Sequence, residues 1–189
     1  MILMIDLQYW NIEHTAGLIL VLAEVVLMPG IAMFWARGGM RGGEPPSRAY
    51  FVTERSFVMA AVILTAIGLV LLTGAMQDGA GRALATIGAT AYFFGGILVV
   101  AAEALALTLG FDKVINLIAV YVITAFLAQV VIGVALLQSG MVAAWIGWAT
   151  VVWNMAWLIG FAIFRPHDIY YPFAHHTAPL LIGIALLLK

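Results

Sequence analysis

Apolar runs of about twenty residues, separated by short polar stretches, fill almost the whole chain. A helix needs about 20 mostly apolar residues to cross roughly 30 Å of hydrocarbon. Six stretches meet that length: about 14–35, 56–75, 84–109, 114–138, 142–164 and 170–188. Only one separator is substantial. From Ala36 to Ser56 the sequence "ARGGMRGGEPPSRAYFVTERS" holds four glycines, two prolines and four arginines, so a loop over about 36–55 is predicted. With the other connections this brief, successive helices must run antiparallel as neighbours. The pattern therefore predicts an all-α polytopic membrane protein: residues 1–189 as a single compact bundle of six transmembrane helices.

Composition supports this. The chain is 65% hydrophobic and only 9% charged, with a mean hydropathy of +1.12, whereas soluble domains are roughly 25% charged. There is no cysteine, which removes disulfides, thiolate nucleophiles and cysteine-bound metal from consideration. A net charge of −1 gives no nucleic-acid footprint. Charge also predicts orientation. Arg37, Arg41, Arg48, Arg55, Lys113 and Arg165 fall on one side, and Arg82 and Lys189 on the other. Positive loops face the cytoplasm, so both termini are expected to be extracytoplasmic, in the inner membrane of a bacterium. The N-terminal stretch lacks the basic start of a cleaved signal, and Tyr9 and Trp10 suit a water–lipid boundary.

"IGLVLLTGAM" from Ile67 echoes "IGVALLQSGM" from Ile132, and "IGAT" at Ile87 echoes "IGWAT" at Ile146. These echoes allow a parallel two-helix repeat, against the simpler reading that membrane composition aligns with itself.

Ionisable groups inside a bilayer are costly and mark functional sites or paired structural ones. Here they are few. Glu24 lies near the middle of span one, with His14 at its outer end. Glu103 is in span three, Tyr121 and Gln129 in span four, Asn154 in span five, and His175 and His176 in span six. Counted at 1.5 Å per residue, Glu103, His175, His176, Tyr121 and Trp157 fall at one depth in the cytoplasmic half. Asn154 and then Glu24 lie deeper, and Tyr92, Gln129 and His14 are left to the outer half. Helical spacing puts Gly147, Thr150, Asn154 and Trp157 on one face, Tyr92, Gly96 and Glu103 on another, and Gly17 with Glu24 on a third, with Pro29 below to bend that helix. Pro172 and Pro179 bracket the histidines.

Adjacent helical residues point about 100° apart, so His175 and His176 cannot both bind one iron. One is expected to face inward at the depth of Glu103 and the other to sit near the interface. A single axially ligated haem or chlorophyll is the cofactor this leaves open, and no metal-ligand motif is present. The leading reading is an intramembrane polar pocket that binds a lipophilic small molecule, sterol- or isoprenoid-like, and isomerises or cyclises it by acid–base chemistry. Glu103, His175, His176 and Glu24 are the candidate acid–base residues. Asn154, Trp157, Tyr121, Thr150 and Trp153 are the candidate binding residues, the aromatic ones offering cation–π faces to a developing cation. The Glu, His, Asn and Trp repertoire resembles the sterol-isomerase type of membrane enzyme by residue type, without a shared motif. The alternatives are a cofactor-binding protein (haem, chlorophyll or quinone), an accessory subunit or homo-oligomer in a membrane complex, and a small proton-coupled transporter or channel. Structural readings compete at each position: Asn154 as interhelical glue, Trp157, Tyr170 and Tyr171 as an aromatic belt.

"ALLQSGMVAAWIGWATVVWNMAWLIG", from Ala135 to Gly160, resembles uncharacterised bacterial multi-span membrane proteins of unknown function. The likeness covers the end of span four and most of span five, and implies no activity.

Overall fold

The computed structural model describes residues 11–39, 45–110, 113–164 and 171–189. Tyr9, Trp10, Arg41, Arg165, His167, Asp168 and Tyr170 lie outside the described residues. The helices are α1 (Ile12–Ala36), α2 (Arg48–Ala75), α3 (Ala80–Leu109), α4 (Ile115–Ser139), α5 (Ala144–Phe164) and α6 (Thr177–Leu187). The first five are long and apolar enough to cross a membrane. A 3₁₀ segment, Tyr171–His176, leads directly into α6.

Two boundaries differ from the sequence reading. α2 starts at Arg48 rather than near 56, because Ser47 caps it by accepting a hydrogen bond from the Tyr50 N–H at 3.1 Å. The Tyr50 hydroxyl then anchors this first turn to α1 by donating to the Met33 carbonyl at 2.6 Å. The last predicted span is not one α-helix. Proline lacks an N–H and suits a first helical turn, where that donor would be unsatisfied anyway. Pro179 sits in the first turn of α6, and Pro172 near the start of the 3₁₀ segment. α1, by contrast, stays continuous through Pro29.

Each helix packs on its sequence neighbours, and α6 packs on α1, so the six helices close a ring. The seam between α5 and α6 is the lightest, and the 3₁₀ segment bridges it by touching both α4 and α5. Glycines set the closest approaches. A Cβ on Gly17 would stand 2.9 Å from the Gly183 carbonyl oxygen, and one on Gly183 would stand 2.9 Å from that of Gly17. Gly133 of α4 and Gly147 of α5 repeat the arrangement, again at 2.9 Å each way. Small residues are what let membrane helices approach so closely.

The proposed repeat is not carried into this packing. Gly68 and Gly133 align in the echoed sequences, yet Gly68 meets Leu20 of the preceding helix and Gly133 meets the following one. Outside the ring, Ile63, Ile67, Phe93, Phe94, Trp148 and Val152 are exposed. Such contiguous apolar surface suits lipid, not water.

Candidate functional site

The glycine contacts place the polar groups. Antiparallel helices that meet at Gly17 and Gly183 keep the same pairing two turns further along, which brings Glu24 opposite His176. Their side chains bond there: His176 Nδ1 lies 2.8 Å from Glu24 Oε1. An ionised Glu24 would accept this bond from Nδ1–H, and a protonated Glu24 would donate it to a bare Nδ1. The Thr65 hydroxyl of α2 completes this corner, 3.5 Å from the same nitrogen. His176 Nε2 is buried with no hydrogen-bond partner among the described residues.

His175 points the other way. Its Nε2 lies 2.8 Å from the Tyr92 hydroxyl of α3 and 3.0 Å from the Tyr121 hydroxyl of α4. A ring nitrogen offers one N–H or one lone pair, so the two hydroxyls share a single bonding position. The imidazole is boxed by the rings of Tyr92, Tyr121 and Phe126, with centroids 5.6, 5.6 and 5.9 Å away. The two histidine rings lie 4.3 Å apart and tilted.

Both histidines are thus interior, at 0% and 1% exposure, and neither sits near an interface as expected. The reason is the backbone. A 3₁₀ helix turns about 120° per residue, and here the two successive directions both meet other helices, His175 facing α3 and α4 and His176 facing α1 and α2.

The depths also change. Counted from the end of the bundle where α1 starts, Glu24, Tyr92 and His175 lie twelve residues in, His176 eleven, and Thr65, Gln129 and Asn154 ten. At about 1.5 Å per residue this is one layer roughly 15–18 Å deep, midway along the bundle, to which α1 to α5 and the 3₁₀ segment each contribute. Tyr92 and Gln129 belong to it rather than to an outer half. Tyr121 sits two turns beyond and reaches back.

Glu103 is not part of this layer. Its Oε1 takes Arg55 Nη1 at 3.3 Å, near the far end of the bundle. Arg55 Nε lies 3.9 Å from Glu54 Oε1, and Arg37 holds Glu54 with both Nε (2.8 Å) and Nη2 (3.1 Å). Arg55 and Glu54 are fully buried. Two arginines and two carboxylates thus tie α1, α2 and α3 together, and charge neutrality is what makes such burial tolerable. Glu24 and Glu103 therefore do not converge on one histidine.

The α5 residues divide by task. Trp153 donates its indole N–H to the Ala174 carbonyl at 2.6 Å and so steadies the 3₁₀ segment. Trp157 packs edge-on against Trp153, with centroids 5.7 Å apart. Thr150 donates to Ile146 O at 2.9 Å, and Asn154 Nδ2 to Thr150 O at 2.8 Å. Asn154 Oδ1 and both amide atoms of Gln129 are buried without hydrogen-bond partners among the described residues.

As a haem ligand, His175 would have to release both hydroxyls. A porphyrin on His176 would have to displace His175 at 4.3 Å and Phe173 at 6.1 Å. The side chains as packed do not fit that group.

An apolar groove of about 390 Å³ opens between α2 and α3, lined by Val62, Ala66 and Gly96 at its floor and Ile63, Phe93 and Ile97 along its sides. Thr65 adjoins Ala66 in sequence, and Tyr92 lies one turn from Gly96, so the groove runs beside the polar layer.

Thr65, Arg55 and Glu54 escaped the sequence reading. The first is hidden in an apolar run, and the other two look like loop charges. No family model matches this chain, and neither a curated protein nor a solved structure is found to be similar to it.

Proposed function

We propose that this chain binds an uncharged lipophilic small molecule, sterol- or isoprenoid-like, inside its helix ring and carries out acid–base chemistry on it. The observation that supports this reading most is the Glu24–His176 pair. In this reading Glu24 is ionised and holds Nδ1–H, which fixes the tautomer and leaves the opposite nitrogen as the basic one. That nitrogen, Nε2, is buried and unpartnered among the described residues. His176 then takes the proton, Glu24 positions it, and the Tyr92 and Tyr121 hydroxyls at His175 supply a proton to the other side of the substrate. The α2–α3 groove serves as the lateral entrance from lipid. In this reading the 3₁₀ segment and α6 together complete the sixth crossing, about 28 Å by their rises per residue. Both termini face out of the cytoplasm across a bacterial inner membrane.

A through-going channel or proton path is supported less well. Between the polar layer and the end where α1 starts, Leu20, Leu69, Leu72, Ile132, Leu136 and Leu186 are packed at 1% exposure or less. Among the described residues that plug offers no buried polar side chain for an ion to follow.

The test is to purify wild type, His176→Gln and Glu24→Gln in nanodiscs and identify co-purifying lipophiles by mass spectrometry. Material enriched in wild type should then be incubated in deuterated water. Wild type should introduce deuterium or convert the compound at least a hundredfold faster than His176→Gln. Equal rates in both would remove His176 from the chemistry and the reading with it.

A further inference from the structure

Gln129 of α4 and Asn154 of α5 face the polar layer with three buried polar atoms that nothing among the described residues satisfies: both Gln129 amide atoms and Asn154 Oδ1. They are 1% and 0% exposed. Buried polar groups are nearly always paired, and an unpaired one costs about as much as a lost hydrogen bond. Leucine at either site would pack without that cost.

The α4–α5 seam fixes where the two amides stand. From the Gly133–Gly147 contact, Gln129 lies one turn along α4. On α5 the matching turn, running antiparallel, falls between Thr150 and Asn154. Asn154 Nδ2 is committed to the Thr150 carbonyl, which fixes that amide's orientation and leaves its oxygen. Gln129 leaves both a donor and an acceptor, so exchanging its amide nitrogen and oxygen changes nothing. The histidines lie close by: Phe126, one turn from Gln129, packs on His175, and Trp153, next to Asn154, bonds Ala174.

We propose that Gln129 and Asn154 form the subsite that recognises a neutral hydroxyl group on the ligand. This rests on the reading that the bundle binds a lipophile and names that molecule's polar class. A hydroxyl both donates and accepts, so it answers the Gln129 N–H and an amide oxygen together. An ammonium cannot accept from Gln129. A carboxylate or phosphate cannot donate to the amide oxygens, and it would meet Glu24 in a layer that holds no arginine or lysine among the described residues.

The full chain should be incubated in detergent with 1-hexadecanol, hexadecanoate and hexadecylamine at equal concentration. Native mass spectrometry then counts molecules bound after the micelle is stripped. The alcohol adduct should exceed the other two about tenfold. Gln129→Leu and Gln129→Met should lower it about tenfold without lowering the melting temperature, because each removes unsatisfied atoms. His176→Gln should keep the alcohol while losing turnover, so failure of the acid–base reading is visible separately. Three of the outcomes would overturn the subsite. One is equal adducts for the three probes, as expected if the amides hold only water. The others are an undiminished alcohol adduct in both Gln129 variants, and a lowered melting temperature in both with binding intact.

Discussion

Gly17 and Gly183 share one contact, each positioned so that a Cβ would come within 2.9 Å of the other's carbonyl oxygen. The obstruction is backbone on both sides, so no rotamer change relieves it. Gly183→Val should push α6 away from α1 and separate Glu24 from His176 two turns away. We expect a loss of about 2–4 kcal/mol in reversible detergent unfolding. Hydrogen exchange should also rise at Thr177–Leu187. An unaltered unfolding midpoint would mean that this contact does not set the register.

Glu24 and His176 should be energetically coupled. Each single change, Glu24→Gln or His176→Leu, strands a buried partner and should cost about 1–3 kcal/mol. The double variant should cost clearly less than their sum, and a double-mutant cycle reads the difference directly. Additive costs would show that the 2.8 Å bond contributes nothing beyond packing.

The two tyrosine hydroxyls at His175 compete for one nitrogen. Tyr92→Phe and Tyr121→Phe should each be mild, under about 1 kcal/mol, because the remaining hydroxyl takes the position. Together they should cost more than the sum. Equal and additive losses would instead imply that each tyrosine holds its own separate bond.

Arg55→Met should be among the most damaging single changes, at about 3–5 kcal/mol, because it leaves Glu103 buried and unpaired. Arg55→Met with Glu103→Leu should recover much of that loss, since removing both members of a buried pair is often close to neutral. Thermal melts of the three proteins in one detergent suffice. No recovery in the double variant would place the role of Arg55 with Glu54 rather than with Glu103.

The sequence pattern made five helices legible, and it identified Glu24, Tyr121, Asn154 and one of the two histidines as interior groups. Periodicity was also right about faces: Gly17 with Glu24, and Tyr92 with Gly96 and Glu103, are buried together. Depth was the weak step. Counting residues from the inner helix ends assumes that those ends lie at one level, whereas the sixth crossing begins only five residues before His176 and α1 runs twelve residues past Glu24. That error joined the histidines to Glu103 and set Glu24 apart from them. Glu54 and Arg55 were misread because a charge beside an apolar run looks like a loop residue. Only the tertiary partners Arg37 and Glu103 make their burial possible.

The bond between Glu24 and His176 spans 152 positions of sequence, and that separation has a consequence for biogenesis. At about 5–20 residues per second, roughly eight to thirty seconds of synthesis elapse between the two residues. For that interval α1 carries a carboxyl whose partner does not yet exist. The newly made helices must therefore keep Glu24 protonated, hydrated or shielded until α6 arrives. A ring closed by its last strut also stays open on one side until then. Slowing translation near the 3₁₀ segment should thus lengthen the period in which the nascent protein is vulnerable to membrane proteases.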